Sequence, residues 1–536
     1  MTGSPPDFAK PLSSTALRRL VTDLAGKIDR LEQEVEQLRR DNGNLRLDNQ
    51  ALKDEIARLK NLPPRPPFKS SGMDKATQPK PSGPGRRPGR GSKRDRVTRE
   101  VTIRAEVPPG SRFKGYKTVV RRDLVLAAEV VRYKRERWVT PDSQTIIAPM
   151  PAGVAGGHGP GGRRFCLALH TQGQVTTERL TDLLNGIGLS ISKREVVRLL
   201  TTDLETFAQE DHAVLEAGLV SSPYITVDDT GARHARRPAV TTQIGGERFC
   251  AFRTGRSKSR LNFLSLLRGD CEDYVVNEAA LDYLRRQPVE AAVIARLAAH
   301  PDQVFSSQMA WWQHLLRCSI NIFDRTLLQA LNEAATWGAI RHHGLMANTV
   351  VVSDDAGQFR VAQHALCWIH AERHLQKLMP ASPKQAKAVE LVRETIWCFY
   401  RGLKLWKQSP TPGAEALFRR QFNRIFGQRT GYKELDELLA RLSRRKNELL
   451  RVLERPEIPL HTNVSENDLR AWVTKRKISG GTMSVDGRVA RDVMLGLSKT
   501  CRKLGLSFFT YLGDRLGLNP DQPKIPPLAD LIIRTA

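Results

Sequence analysis

The stretch TVVVSDDAGQFRVAQHALCWIHAERHLQKL, Thr349 to Leu378, drives a run of β-branched residues straight into two acids and then turns into a helix. Thr349, Val350, Val351 and Val352 form a short continuous apolar run, as expected of a central strand buried on both faces. Ser353, Asp354, Asp355 and Gly357 break it. A carboxylate at the carboxyl end of such a strand lies at the rim of an α/β sheet, where open sheets place their ligands. An Asp that only caps a strand-to-helix turn explains the same residues, so the rest of the chain has to decide.

Working outward, Tyr224 to Val227 reads as a second short strand, ending in Asp228 and Asp229, and residues 240–244 and 248–253 read as a hairpin across Gly245 and Gly246. Strand, acids and hairpin are how a ribonuclease-H-like α/β domain begins. Residues 259–343 look mostly helical and separate this hairpin from the Thr349 strand, and residues 371–454 look helical again. After Pro459 comes HTNVSENDLRAWVTKRKISGG. Here Asn463 with Glu466 is spaced like a capping box, and Glu466 with Arg470 like an i,i+4 ion pair. The chemistry suggests another use. Two carboxylates at neighbouring strand ends and a third on a packed helix can hold two divalent cations about 3.5–4 Å apart, as in-line phosphoryl displacement requires. Hard Mg²⁺ (or Mn²⁺) takes oxygen ligands, which Asp and Glu supply. Arg470, Lys475, Arg476 and Lys477 lie along the same predicted helix, where basic side chains would hold a DNA strand.

Composition narrows the partners. The 536-residue chain is too long for one compact domain and carries a formal net charge of +28. Such an excess calls for a polyanion. There is no run of about 18 apolar residues and no secretory apolar segment at the start, so no membrane role is expected. Seven scattered Cys without a Cys-x-x-Cys pair point to a reducing cytoplasm, with no structural zinc expected.

The first element in chain order is a heptad run over residues 18–62. Its a positions are Val21, Ile28, Val35, Asn42, Asn49 and Ile56, and its d positions are all Leu. That combination favours a parallel two-stranded coiled coil, and the two Asn fix register. The facing pairs Lys27–Glu32, Glu34–Arg39, Asp41–Arg46 and Asp48–Lys53 are all attractive. A single amphipathic helix packed on the body would show the same apolar stripe. Residues 63–96 are rich in Pro, Gly, Ser and basic side chains and should not build a core. Within them GRRPGRGSK, Gly85 to Lys93, resembles a minor-groove arm, and Arg86, Arg87, Arg90, Lys93 and Arg94 are its candidate DNA contacts. A flexible basic linker fits the same composition. Residues 97–160 alternate like strands and suggest a small β unit whose Gly-rich end lacks a Gly-Lys-Ser/Thr phosphate loop. Within residues 163–220, Thr176 to Leu184 and Ser192 to Leu200 read as a helix-turn-helix, with Lys193 and Arg194 opening the second helix. An ordinary helical hairpin shares that pattern.

Assembled, the chain resembles the insertion sequence 66 family of transposases, of the Asp-Asp-Glu class. The resemblance rests on Val227-Asp228-Asp229-Thr230, Ser353-Asp354, Leu366-Cys367-Trp368-Ile369-His370-Ala371-Glu372-Arg373, and Asn463-Val464-Ser465-Glu466 through Leu469-Arg470 to Arg476-Lys477. It implies a multidomain α+β chain: coiled coil, β unit and helix-turn-helix, then a ribonuclease-H-like catalytic domain over 221–506 with helical insertions, and a tail over 507–536. Asp228, Asp354 and Glu466 take the family's catalytic, metal-binding positions, two Mg²⁺ or Mn²⁺ per site, while Cys367 and His370 match its Cys-x-x-His step. Double-stranded DNA, a homodimer or larger assembly, and helper proteins from the same element are the implied partners. The family's Cys-based zinc segment has no counterpart here, because no Cys precedes Cys166. A catalytically decayed dimeric DNA-binding protein and a structure-specific nuclease are the other classes compatible with these residues.

Overall fold

The structure is a computed structural model and describes residues 26, 33, 37, 99–150, 157–299, 303–411 and 413–534. The expected coiled coil and basic arm, with Arg86, Arg87, Arg90, Lys93 and Arg94, fall outside the described residues, except that Gly26, Gln33 and Gln37 are helical. The chain divides into one unit of residues 1–122 with 381–383 and a second of the remainder.

In the first unit, residues 99–122 form neither helix nor strand, and the one turn is closed on the Pro108 carbonyl by Ser111, whose N–H reaches it at 3.2 Å and whose hydroxyl reaches it at 2.7 Å. The second unit starts in the same way. Among the described residues up to Met150, the only strands are β1 (Arg137–Val139) and β2 (Thr145–Ile147), an antiparallel pair exposed throughout. The alternation upstream of Arg137 therefore does not produce the expected strands. Among the described residues its apolar side chains are left uncovered: Val119, Leu124 and Val125 are each more than 80% exposed. A two-stranded ribbon without a packed face is marginal.

Helices α1 (Pro160–Thr171), α2 (Thr177–Gly186), α3 (Lys193–Thr201) and α4 (Glu205–Ser221) lead into β3 (Tyr224–His234), β4 (Arg237–Gly245) and β5 (Cys250–Gly255). Next come α5 (Arg260–Arg268), β6 (Tyr274–Val276), α6 (Glu278–Arg285), α7 (Ala291–Ala298), β7 (Gln303–Phe305), α8 (Gln308–Arg317) and α9 (Arg325–His342). They separate the hairpin from β8 (Val350–Ser353) and β9 (Gln363–Leu366). Helices α10 (Trp368–Gln376), α11 (Pro383–Gln408), α12 (Ala414–Phe426), α13 (Lys433–Arg444) and α14 (Lys446–Leu449) follow. The chain closes with α15 (Asn463–Ser479), α16 (Val485–Lys503), α17 (Phe508–Arg515) and α18 (Leu528–Arg534). Helices α2 and α3 start at Thr176 and Ser192, whose hydroxyls accept from the N–H groups of Arg179 and Glu195.

The sheet order is β5-β4-β3-β8-β9, antiparallel from β5 to β3 and parallel from β3 to β9. β3 runs seven residues past the expected end and turns into β4 through Ala235 and Arg236, both at positive φ (48° and 63°). That pair fits a type I′ hairpin, whose twist matches the strands. The valine run buries both faces of the sheet. Val351 joins the core formed with α1–α9 and α16–α18, while Val350 and Val352 join the one under α10–α13. At roughly 1.5–3 kcal/mol for each fully buried side chain, these valines hold β8 inside the sheet, between β3 and β9. No helix among the described residues is long and apolar enough to cross a membrane.

Candidate active site

Parallel pairing sets the geometry. Thr226 lies opposite Val352, and two residues further on come Asp228, within β3, and Asp354, the first residue beyond β8. Asp228 Oδ1 accepts from the N–H of Asp229 at 2.7 Å, and Asp354 Oδ1 from that of Ala356 at 3.0 Å. Among the described residues neither carboxylate has a salt bridge. Burial, and then the charge of Asp354, push the Asp228 carboxyl up to about 6.

Their sequence neighbours differ. Asp229 takes Lys258 at 2.5 Å and the Gln358 amide at 2.8 Å, and Asp355 takes Arg445 at 2.6 Å and Arg360 at 2.8 Å. The second acid of each pair is thus taken up by basic and amide groups, while the first acid of each pair has no salt bridge among the described residues and the charge of Asp354 acts on Asp228.

Glu466 arrives on α15. Leu469 and Trp472 pack that helix against Ala232, Ala239, Cys250 and Phe252 of the hairpin. Gln243, the register partner of Asp228, reaches the helix with its amide turned to satisfy its surroundings, donating to Ser465 Oγ at 3.1 Å. Asn463 is the first residue of α15, the preceding Thr462 makes no side-chain cap, and Glu466 shows no pair with Arg470. The Glu466 carboxylate instead meets Arg373 at 2.8 Å and His370 Nε2 at 3.6 Å, both through Oε1. Oε2 lies outside these contacts.

Cys367 and His370 link the second acid to the third. The Cys367 N–H donates to Ser353 O at 2.9 Å beside Asp354, and the Cys367 sulfur accepts from the N–H of Thr462 at 3.4 Å. Burial raises the Cys367 thiol, but hydrogen bonds with His370 and Thr462 outweigh it and leave its pKa below the ordinary value. Contact with Cys367 in turn raises His370, against the effect of burial. Beneath, His364 bonds Ser353 Oγ at 2.8 Å, and burial pushes its pKa down to about 3, so it is neutral. Gln243, Ser465, Thr462, Lys258 and Gln358 were not expected from sequence. Each acts across strand or helix contacts that no local motif signals, and only Lys258, a base shortly after a hairpin, offered any hint.

The basic residues expected to face DNA divide. Lys193 and Arg194 are exposed on the first turn of α3, with Lys193 Nζ 3.9 Å from Glu178, and Arg470 and Lys477 are exposed on α15. Arg476 is half-buried and donates to Gly231 O. Lys475 does not face solvent at all: it is 2% exposed and donates to His170 O. The helical repeat sets it on the inward face of α15, three residues beyond Trp472.

Asp228, Asp354 and Glu466 supply only oxygen donors, the kind that Mg²⁺ or Mn²⁺ takes, and two of them have no dedicated cation, but among the described residues the three do not close to within 4.8 Å of one another. A model of the transposase IS66 family matches residues 340–490, spanning β8, α10 and Glu466. The uncharacterized protein y4jO of Sinorhizobium fredii (strain NBRC 101917 / NGR234) is 64% identical over 323 residues, which is 60% of this chain and all of that protein. With that family's segment placed on β8, α10 and α15, the chain belongs to the transposase IS66 family.

Proposed function

We propose that the chain is a DNA transposase that binds the ends of its mobile element as a dimer or larger assembly, cleaves the 3′ ends with water and joins them to target DNA. The observation that carries this reading is the register Thr226–Val352, two residues short of Asp228 and Asp354, together with the charge of Asp354 acting on Asp228. The strand order, three antiparallel and two parallel, supports a ribonuclease-H-like domain around these acids. Asp228, Asp354 and Glu466 would hold two Mg²⁺ or Mn²⁺ ions, which when bound stabilise the attacking and leaving oxygens of an in-line displacement.

The protein's own groups do the rest. Arg373 and His370 hold Glu466 by one oxygen and leave the other free to act as a ligand. Lys258 and Arg445 neutralise the second acid of each pair, so that the charge facing the DNA backbone is confined to three carboxylates. In cleavage a water oxygen bonds to phosphorus as the bond to O3′ breaks, and the proton ends on the released 3′-oxygen. In transfer that 3′-hydroxyl attacks a target phosphodiester, and the target's own 3′-oxygen leaves.

The test is metal-dependent nicking of a plasmid carrying the element's ends. Asp228→Ala, Asp354→Ala and Glu466→Ala should each abolish nicking, and a double variant should be little worse than a single one, since the three act as a unit. DNA binding should survive in all of them. If Asp355→Ala is dead while Asp354→Ala cleaves, or Glu466→Ala cleaves at the wild-type rate, the assignment is wrong.

A further inference from the structure

The spacing of the seven Cys gave no zinc motif, yet the fold assembles a donor set that shares no residue with the three carboxylates. Cys271, Asp273 and His343 converge so that one ligand atom from each lies within 4.8 Å of the others. His343 Nε2 already meets Asp273 Oδ2 at 3.0 Å across 70 residues. A tetrahedral zinc site, with bonds of roughly 2.0–2.3 Å, holds its ligand atoms about 3.3–3.8 Å apart, so only a small adjustment closes this set.

The positions are built in. The loop from Gly269 to Asp273 leaves α5 through Gly269 at φ 70°, which L side chains rarely adopt, and enters β6. Arg268, 9% exposed, lies over the Tyr274 ring and donates to Asp273 O at 2.5 Å, pinning the far end of the loop. His343 is the C-cap of α9, its N–H bonded to Ala339 O at 3.0 Å. A second pair stands beside the first: His212 of α4 meets Asp270 at 2.8 Å. Burial raises the Cys271 thiol, and the charges of Asp273, Glu216 and Asp270 raise it further against Arg268. A divalent cation is the species that would reverse this balance and ionise the sulfur.

We propose that Cys271, Asp273 and His343 bind a borderline-soft divalent cation, zinc being the natural one, with water in the fourth position. Thiolate and imidazole exclude Mg²⁺ as the preferred occupant, so this site and the carboxylate site select different metals. The ion would tie the C-terminal end of α9 to the loop before β6, closing the insertion that sits between the two strands bearing Asp228 and Asp354.

Cobalt(II) replaces zinc in such sites and reports thiolate ligation directly. Full-length protein stripped of metal should take up cobalt with a thiolate-to-cobalt charge-transfer band and the intense visible bands of four-coordinate cobalt. Cys271→Ser should abolish the charge-transfer band, and His343→Ala should weaken binding by more than the ~10 to 100-fold typical of lost outer partners. A triple variant at Asp228, Asp354 and Glu466, and Cys398→Ser at the exposed thiol, should keep the band. Zinc should raise the melting temperature of wild type but not of His343→Gln, which retains a side chain of similar reach. The proposal is overturned if no charge-transfer band forms, if it persists in Cys271→Ser, or if zinc stabilises His343→Gln as much as wild type.

Discussion

Asp228 keeps its proton to about pH 6 because burial penalises its charge and Asp354 stands beside it. A folded pKa above the ordinary ~3.9 means that the folded state binds this proton more tightly than the unfolded chain does. The stabilising contribution is therefore full below about pH 4 and lost as pH rises through 6. Melting temperatures of metal-free wild type and Asp228→Asn should diverge over that window, wild type losing ground, and stay parallel above it. Added Mn²⁺ should restore wild type above pH 6 and do little for the variant. Lys475 shows the opposite sign. Burial, and then the charge of Arg491, push its ammonium down to about 7, while the unfolded chain holds the proton to ~10.4. Stability should then rise with pH between 7 and about 10, by up to about 1.4 kcal/mol per unit, and Lys475→Met should flatten that slope. If denaturation at pH 7 and pH 10 shows the same difference in the variant as in wild type, Lys475 keeps its charge in the fold and the lowered pKa is wrong. Arg491 joins Lys475 in lining a cavity of about 490 Å³ between α2, α3, α15 and α16.

Among the elements, α9 carries the tightest constraint in the insertion. A Cβ on Gly338 would lie 2.0 Å from Val275 O and 3.1 Å from Ala280 Cβ, and Asn277 donates to Gly338 O at 2.9 Å. The helix thus lies directly on β6 and the start of α6. Gly338→Ala should cost at least the ~1–3 kcal/mol of an overpacked core, read as a lower denaturation midpoint, with hydrogen exchange rising first in residues 259–343. A variant as stable as wild type would mean that α9 can move off β6. What could be read from sequence follows the same logic of local and non-local signals. The Val350–Val352 run announced a strand buried on both faces, and the hydroxyls of Thr176 and Ser192 announced the starts of α2 and α3, because these signals are local. The β3–β4 turn at Ala235 and Arg236 carried no Gly or Asn, so the length of β3 was hidden. Alternation before Arg137 suggested strands where none form, because pattern specifies a face but not the partner that would cover it. Asp354 was legible as an acid at a strand end, and Asp228 as an acid on the neighbouring strand, although β3 continues past it to His234. The Lys258, Gln358 and Arg445 contacts that separate each from its neighbour were not, since those contacts span many residues and depend on the packed fold.

At the scale of the whole molecule, the formal charge of +28 bears on how the protein meets DNA more than on its stability. On the proposed function, a net charge of this size should give several phosphate contacts and release condensed counterions on binding. Lys475 is withdrawn into the core and Arg476 is tied to Gly231, so α15 supplies fewer of these contacts than its sequence promised. On the proposed function the contacts would fall to the basic stretch within residues 61–96 and to Lys193 and Arg194, the latter two being exposed on α3. With roughly 6–10 phosphate contacts, affinity for the element's ends should fall by about 10³ to 10⁵ between 50 and 200 mM salt. Replacing Lys193 and Arg194 together should reduce the slope of log K against log salt by about 2, at roughly 0.9 for each phosphate left without its cation. Lys475→Met should leave the slope unchanged, because a buried ammonium releases no counterion. Fluorescence anisotropy on a labelled end fragment, repeated across salt, separates these cases. A slope that is flat in wild type would rule out the phosphate contacts, and one unchanged when residues 1–204 are removed would place the DNA footprint on the sheet domain instead.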